Sequence, residues 1–457
     1  MRVRSMRAIR SISLILLLLL FTLGLGAALP VRAQADDITI TDLEPLIDSI
    51  IGVDTFYDLT DINDLGQLVG FYNWVPEDPK PELREQRAFL WDIEDGMVEL
   101  GNLGGRTSRA NAINNLGSVA GYSHTGPYGA NHAYLWTAED GMTDLGTLGG
   151  TTSLGMGINY HNHVVGRSSS SAGIFSAFLW TPEMGMEDLG TLGGESSSAL
   201  DINDDGYVVG TSETQVLNQY RAFLWISPGG MIDLGTLGGT SSGAYAVNNV
   251  GQIVGYADLE GFGRRPCLWK IVEGEVTITD LGSFGGTYGM ARDINDLGYV
   301  VGYSRIAPNT FSDRAFLWTP EDGMIDLGTL GGEESWAYSI NDFGQIMGFA
   351  ETATGEINAV MWQIHLDNPE EAVDPIIDEV ETLVESEVLN SGEGTALTQM
   401  LENAIRMIED GQTRAAYNQL RSFIQLVGGL LAKGELSEAE GQSLIAQAEN
   451  LMNQLDI

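Results

Sequence analysis

Seven tryptophans divide most of this sequence into segments of nearly equal length. Successive tryptophans lie 45, 44, 45, 44, 49 and 44 residues apart, and four of them end an Ala-Phe-Leu-Trp run. A period near 45 residues indicates one supersecondary unit copied along the chain, because each copy buries its apolar faces against its neighbours. The seven are Trp91, Trp136, Trp180, Trp225, Trp269, Trp318 and Trp362.

Two further sequence motifs recur with the same period as the tryptophans. The run Asp-Leu-Gly-Thr-Leu-Gly-Gly occurs in four copies, and variants of it stand at 99–105 and 280–286. An Ile-Asn or Val-Asn pair occurs once in every copy. Its asparagines are Asn63, Asn114, Asn159, Asn203, Asn248, Asn295 and Asn341.

Each copy predicts four short strands separated by turns. In the fourth copy these are Ala199–Asn203 (strand A), Tyr207–Gly210 (strand B), the Phe-Leu-Trp run 223–225 (strand C) and Met231–Leu237 (strand D). Strand C shows no polar alternation, which favours a sheet buried on both faces. Four strands per period and seven copies predict an all-β, seven-bladed β-propeller.

The two ends of the repeat region predict how the ring closes. The last copy has no strand D before the chain changes character at Asp367, whereas Ile38–Leu43 matches strand D of the other copies. We therefore expect this N-terminal strand to complete the seventh blade and to remove both open sheet edges. Six of the seven A–B turns carry Gly at one position and the third carries Asn162, as a left-handed turn residue requires.

Residues 1–35 have the layout of a secretory signal peptide. An arginine-rich start leads into the apolar run 14–29 and a small-x-small cleavage site at Ala33–Ala35. Without the five arginines of this segment, 17 basic residues face 63 acidic ones, a net charge of −46. We expect a secreted or cell-surface protein with no membrane span after cleavage. Such acidity excludes a nucleic-acid partner, because phosphates would be repelled.

Beyond Val373 the sequence becomes helical in pattern. Apolar residues recur at three- and four-residue spacing in four segments, and the third contains Tyr417, Leu420, Ile424, Val427 and Leu431. Four short helices in a small all-α bundle are predicted. The predicted organisation is a signal peptide over 1–35, the propeller over 36–366, a linker over 367–372 and the helical module over 373–457.

The repeat pattern resembles that of the extracellular HAF-repeat proteins, named for a His-Ala-Phe triplet before Leu-Trp. The resemblance covers about 330 residues and all seven copies. The triplet's histidine is Arg87, Ser176, Arg221 and Arg314 in four copies here, and only His132 retains it. Because the other copies replace this histidine, His132 is not expected to carry chemistry. The resemblance implies an exported repeat protein without an assigned activity.

Two helical stretches resemble the FIMAH-type module found at the C-terminus of many secreted microbial proteins. They are Asn418–Ile424 and Leu444–Ala448. The resemblance implies an accessory or attachment domain, and a bundle that only adds solubility is the alternative.

The sequence contains no complete motif for catalysis or for metal binding. His161 and His163 occupy an A–B turn without a third ligand, and Asp201–Gly206 starts like a calcium loop but has Ser212 where a bidentate Glu is needed. Cys267 replaces the strand C phenylalanine and is expected to be buried and inert. We predict no cofactor, and the acidic surface leaves weak calcium binding open.

The variable positions indicate where a ligand would bind. The B–C loops and the residue five before each strand A asparagine differ between copies, and variable loops on a rigid scaffold are where binding usually occurs. We expect a scaffold that binds a polysaccharide or a cell-envelope protein, and a glycan-processing enzyme with a carboxylate pair is the alternative. The candidate contact residues are Trp74, Arg109, Tyr128, Tyr220, Phe262, Phe311 and Trp336.

Overall fold

The protein is described by a computed structural model that covers most of the chain. The described residues form two compact units, one within 38–364 and one within 374–455. The predicted signal peptide and linker lie outside them. The described ranges are 38–52, 56–74, 85–92, 96–127, 129–272, 274–308, 310–342, 344–364, 374–386, 388–409 and 412–455.

The first unit contains 28 strands in its described residues. Those of the first half are β1 Ile38–Asp42, β2 Tyr57–Ile62, β3 Leu68–Trp74, β4 Glu85–Asp92, β5 Gly96–Gly101, β6 Ser108–Ile113, β7 Val119–His124, β8 Asn131–Thr137, β9 Gly141–Asp144, β10 Gly149–Ile158, β11 Val164–Ser170, β12 Phe175–Thr181, β13 Gly185–Asp188 and β14 Gly193–Ile202. Those of the second half are β15 Val208–Thr214, β16 Tyr220–Ile226, β17 Gly230–Asp233, β18 Gly238–Val247, β19 Ile253–Leu259, β20 Arg264–Val272, β21 Glu275–Asp280, β22 Gly289–Ile294, β23 Val300–Arg305, β24 Asp313–Thr319, β25 Gly323–Asp326, β26 Gly331–Ile340, β27 Gln345–Thr352 and β28 Ile357–Ile364.

Five helices complete the described secondary structure. The first follows β1, and the other four form the C-terminal unit. They are α1 Glu44–Ile51, α2 Asp374–Glu385, α3 Ser391–Glu409, α4 Thr413–Lys433 and α5 Glu438–Gln454. Within the described ranges, none of these helices has the length and apolar content that crossing a bilayer would require.

The strands form seven antiparallel four-stranded sheets, which confirms the seven-bladed β-propeller. Blades 1 to 6 take four consecutive strands each, from β2–β5 to β22–β25. The first strands of neighbouring blades contact one another and are therefore the innermost. Blade 7 combines β26–β28 with β1, which pairs antiparallel to β28 from Ile38 opposite Ile364 to Asp42 opposite Val360. The predicted closure by the N-terminal strand is thus confirmed.

The seven register asparagines form a closed ring of hydrogen bonds at the A–B turns. In every copy the side-chain Nδ2 donates to the backbone oxygen of the next copy's asparagine, at 2.8–3.1 Å. The Oδ1 of each accepts the backbone N–H four residues later and so shapes its own turn. All seven are 2–6% exposed, and buried amides need such partners. The Ile-Asn mark is therefore a connection between blades.

The predicted boundaries of strands A and D were wrong. In blade 4 the outer strand β17 ends at Asp233, and the innermost strand β14 already begins at Gly193. The repeated aspartate ends the strand because its Oδ1 accepts the N–H of Gly235, whose φ is +76°. This side-chain turn gives the repeated aspartates a structural role.

The tryptophans are buried to different extents. Trp269 and Trp362 are fully buried, Trp91 and Trp225 nearly so, and the other three are half-buried. Cys267 is fully buried, as expected, and burial raises the pKa of its thiol. The small residues of the innermost strands, such as Ala199 and Ala337, are fully buried where blades crowd together.

The C-terminal unit is a helical bundle around one core. Two of its helices begin at capping residues: Asn390 Oδ1 accepts the N–H of Glu393, and Ser437 Oγ accepts that of Glu440. The predicted face of α4 was rotated by about one residue. Leu420 and Val427 are fully buried as expected, but Ala416 and Phe423 also fill the core, whereas Tyr417, Ile424 and Leu431 are only partly buried.

Candidate functional site

One face of the propeller collects the variable segments and is called the loop face. In blade 3, Gly149 at the start of the innermost strand pairs with Ser170 at the end of the second strand. The crossover into a blade and the loop between its second and third strands therefore lie at the same end of the sheet.

Arg109 and Trp336 occupy equivalent positions on the innermost strands of blades 2 and 7. Arg109 Nε donates to Gln86 Oε1 at 2.8 Å, and Trp336 Nε1 donates to Asp313 Oδ2 at 3.4 Å. Gln86 and Asp313 are themselves equivalent residues of the preceding blades. The Arg109 guanidinium also lies 4.0 Å from the centroid of the Phe71 ring. Variable side chains thus bridge neighbouring blades on the loop face.

A second group of residues, further along the innermost strands, was missed by the sequence reasoning. Arg292 lies three residues before its asparagine, and its guanidinium is 4.6 Å from the Tyr245 ring and 5.4 Å from the Tyr338 ring. Tyr245 and Tyr338 hold the same position in the adjacent blades, and all three are half-buried. The sequence did contain a signal for this group, because the residue three before each asparagine also varies from copy to copy. Arg109, Arg292, Tyr245, Trp336 and Tyr338 are named the axial cluster.

The remaining candidates lie on the loops around this cluster. Phe262 and Phe311 are 86% and 82% exposed, and Tyr220 is 41% exposed. Phe311 lies under Arg305, whose guanidinium is 5.1 Å from its ring and whose Nε is 3.6 Å from Asp313, the partner of Trp336.

Phe311 and Trp336 are thus linked through Arg305 and Asp313. Among the residues that it describes, no ring stacking or ion pair joins Tyr220 or Phe262 to another candidate. The Trp74 side chain and Tyr128 lie outside the described residues.

Two carboxylates of the loop face occur in one copy only. Burial raises the pKa of Asp58, and the charge of Arg109 opposes that rise. Burial also raises the pKa of Asp313, against the hydrogen bond from Trp336 and the charge of Arg305. Both carboxyl groups are thus held nearer to protonation than an exposed aspartate.

The opposite end of the axis is a polar mouth with a cavity of about 200 Å³. Burial raises the pKa of Asp61 and of Asp201 to about 7. Ser339 Oγ lies 2.7 Å from Asp61 Oδ1 and 2.8 Å from Asp293 Oδ2. The Ser339 hydroxyl has one hydrogen and can donate to only one of these carboxyl groups at a time. If the other carboxyl group is protonated, it can donate to Ser339 Oγ, and both contacts are then hydrogen bonds.

His161 and His163 lie in the A–B turn of blade 3, as predicted. Asn162 has φ +59°, the left-handed conformation that glycine adopts in the sister turns. The rings of His161 and His163 lie 5.7 Å apart, and burial lowers the pKa of His163. Across the described ranges, no group of three or more His, Cys, Asp or Glu residues is arranged to hold a metal ion.

Comparison with known proteins identifies the C-terminal region by sequence. Residues 373–453 match the FIMAH domain, which agrees with the resemblance noted above. This match covers the helical unit and not the propeller. No curated protein matches the chain.

Among solved structures the propeller has distant neighbours. TolB from Acinetobacter baumannii is 13% identical with a TM-score of 0.39, over 57% of this chain and 63% of TolB. A puromycin-hydrolysing peptidase from Mycobacterium tuberculosis is 11% identical with a TM-score of 0.46, over 72% of this chain and 55% of the peptidase. The lectin BP39L from Burkholderia pseudomallei is 10% identical with a TM-score of 0.35, over 73% and 97%. This chain thus spans less than two thirds of TolB and of the peptidase, and these likenesses concern the fold alone.

Proposed function

We propose that this protein is an exported member of the HAF-repeat group that binds a polysaccharide on the loop face of its propeller. The axial cluster is the observation that supports this proposal most. It sets aromatic rings and hydrogen-bonding side chains beside one another on several blades. The helical FIMAH region would serve as an accessory or attachment module.

The chemistry of this surface suits sugars. A sugar ring presents C–H groups that pack on aromatic faces and hydroxyl groups that need directional partners. Aromatic side chains combine apolar area with specific geometry, and polar groups placed among them fix the orientation of a ligand. Half-buried Trp336 and Tyr338 offer the first property, and Arg109 and Arg292 offer the second.

The carboxylates favour binding over catalysis. Asp313 lies beside Arg305 and accepts a hydrogen bond from Trp336, and Asp258 lies 3.1 Å from Arg264. Carboxylates held in this way serve to position side chains. A glycan-processing enzyme is the second candidate, because Asp58 and Asp313 are single-copy carboxyl groups with raised pKa values, as an acid for glycosidic cleavage requires.

A glycan array and a release assay with the same polymers test the proposal on residues 36–457. Retention on glycans without soluble product supports binding, and soluble product that is lost in D58N or D313N supports the enzyme. Exclusive retention of cell-envelope protein, with every glycan blank, overturns polysaccharide binding. Cleavage after residue 35 in the exported protein, read by mass spectrometry, tests secretion.

A matched pair of variants ties binding to the loop face. Phe311 is 82% exposed there, and Leu297 is 54% exposed in an A–B turn at the other end of the blades. Both substitutions with Ala leave the core intact. F311A should weaken glycan retention and L297A should leave it unchanged, and equal retention by both variants counts against the loop face.

A further inference from the structure

The positive charges of the propeller are concentrated on the loop face, although the chain carries a net charge of −41. Among the described propeller residues, every arginine but Arg292 lies in a crossover or in the middle or loop-face part of a strand, and Lys270 lies on an outer hairpin at the other end. Arg292 lies further along its innermost strand, but its guanidinium contacts the ring of Tyr245, whose hydroxyl is 3.7 Å from Met290 Sδ near the loop-face end of that strand. The arginines are Arg87, Arg106, Arg109, Arg167, Arg221, Arg264, Arg265, Arg292, Arg305 and Arg314. Carboxylates such as Glu213, Glu260 and Glu351 share this face, so the arginines without a carboxylate partner are the ones available to an anion.

Half of these arginines are paired with carboxylates. The pairs join a third strand or its loop to a neighbouring strand, and their N–O distances run from 3.1 to 3.9 Å. In each pair the two charges neutralise each other, and the contact holds the two side chains in place on the loop face. They are Arg87–Glu99, Arg264–Asp258, Arg265–Asp280, Arg305–Asp313 and Arg314–Asp326.

Arg292 lacks a carboxylate partner in the part of the chain that the structure describes. Its Nε is buried and receives no acceptor there, and no carboxylate oxygen lies within 4.0 Å of its guanidinium. The neighbouring Asp293 already accepts from Ser339 Oγ and from the N–H of Ile340. The charge of Arg292 opposes the burial that raises the pKa of Asp293, but the two groups form no direct ion pair. A guanidinium held between Tyr245 and Tyr338 therefore gains from an anion that it can contact directly.

Arg109 is held in a similar way on blade 2. Its Nε is bonded to neutral Gln86 and its plane lies over Phe71, and it forms no ion pair with a described carboxylate. Asp58 is close enough for the charge of Arg109 to act on its pKa without such a pair. The remaining guanidinium N–H groups can donate to a ligand oxygen.

We propose that the polysaccharide bound on the loop face is acidic and that its carboxylate groups bind Arg292 and Arg109. This inference rests on the proposed function and specifies its ligand class. The planar fork of an arginine matches a carboxylate, and the adjoining rings accept the sugar faces. At physiological ionic strength the Debye length is ~8 Å, so the carboxylates of the opposite face are screened from the ligand.

Binding of the full mature chain to alginate, polygalacturonate and hyaluronan, compared with neutral dextran and mannan of similar length, tests this inference by calorimetry at 0.15 M NaCl. At least one acidic polymer should bind more tightly than both neutral polymers. R292Q and R109Q should each weaken that binding at least 10-fold. R265Q removes a loop-face charge that is already paired with Asp280, and it should change the affinity less than twofold.

R292K separates loss of charge from loss of structure, because it keeps the positive charge but not the planar fork. Intermediate affinity with an unchanged near-UV spectrum supports the role of the guanidinium. Equal affinity for neutral and acidic polymers, or wild-type affinity in R292Q and R109Q, overturns the acidic ligand and leaves polysaccharide binding standing. Blank titrations with all five polymers overturn the acidic ligand, and the glycan array decides the proposed function separately.

Discussion

The Nδ2 of Asn341 donates to the backbone oxygen of Asn63 at 3.0 Å, across 278 positions of sequence. The same bond joins Asn203 to Asn248, only 45 positions apart. The seam between the last and first blades is therefore built like every other. Sequence separation has no influence on this contact once the ring has formed.

Substitution of a ring asparagine by Ala should cost about 1–3 kcal/mol of unfolding free energy, because its partners are left buried without a hydrogen bond. N341A and N203A should cost similar amounts in urea unfolding, since both residues make the same bonds. A far larger cost for N341A would contradict the equivalence of the seams.

Deletion of residues 36–46 should lower the melting temperature sharply. It removes β1, whose five residues pair with β28, and exposes the edge of blade 7. T41A, which changes one side chain of β1 and keeps its backbone pairing, serves as the control in the same calorimetric scan. An unchanged melting curve for the deletion would exclude a closing role for β1.

A comparison of Trp362 with Trp318 separates the effect of burial on stability from the effect of repeat position. Both end a third strand, but Trp362 is fully buried and Trp318 is half-buried. W362A should cost about 3–5 kcal/mol, and W318A should cost clearly less, because less apolar surface is lost. Chemical unfolding of the two variants measures the difference, and equal costs would show that burial is not the determinant.

The stability of the propeller should fall as the pH rises from about 4 to about 7. Burial raises the pKa of Asp201 to about 7, so the folded state disfavours the ionised carboxylate. The folded protein then binds more protons than the unfolded chain between the two pKa values, and stability is lost as the pH rises through this window. D201N keeps an acceptor for the N–H of Val247 and removes the charge.

We therefore expect D201N to exceed the wild type in unfolding free energy by more than about 1 kcal/mol at pH 8, since one pKa unit is worth ~1.4 kcal/mol. At pH 4.5 the two proteins should be nearly equal. Denaturant titrations at both pH values measure this, and a constant difference between them would exclude titration of Asp201.

Two leucines of α4 test the orientation of that helix. Leu420 is fully buried in the bundle, and Leu431 is only partly buried. L420A should cost about 2–5 kcal/mol and L431A less. Thermal melting followed by the helical circular dichroism signal at 222 nm compares them, and the reverse order would place the core on the other face.

The blade count and the ring closure could be predicted because each depends on a pattern repeated seven times. The end of strand D could not, because Asp233 stops the strand through a side-chain bond that local apolar patterning does not reveal. In α4, Tyr417 and Ile424 are apolar enough to suggest the core, and only packing against the other helices selects Ala416 and Phe423.

The candidate site could be predicted in part. Arg109 and Trp336 stood out because their position varies among copies, and the structure gives them equivalent hydrogen bonds. Arg292 was missed although its position also varies, because its role depends on Tyr245 and Tyr338, which lie 47 positions before and 46 after it. Contacts between blades are not visible in a single repeat.

The asparagine ring also affects how the molecule comes apart. In an open array of repeats, a terminal repeat can fray after losing one interface. A closed ring has no terminal repeat, so releasing one blade breaks two asparagine bonds and two interfaces at once. Partial opening is therefore costly, and a protease would meet either the whole propeller or a fully unfolded chain.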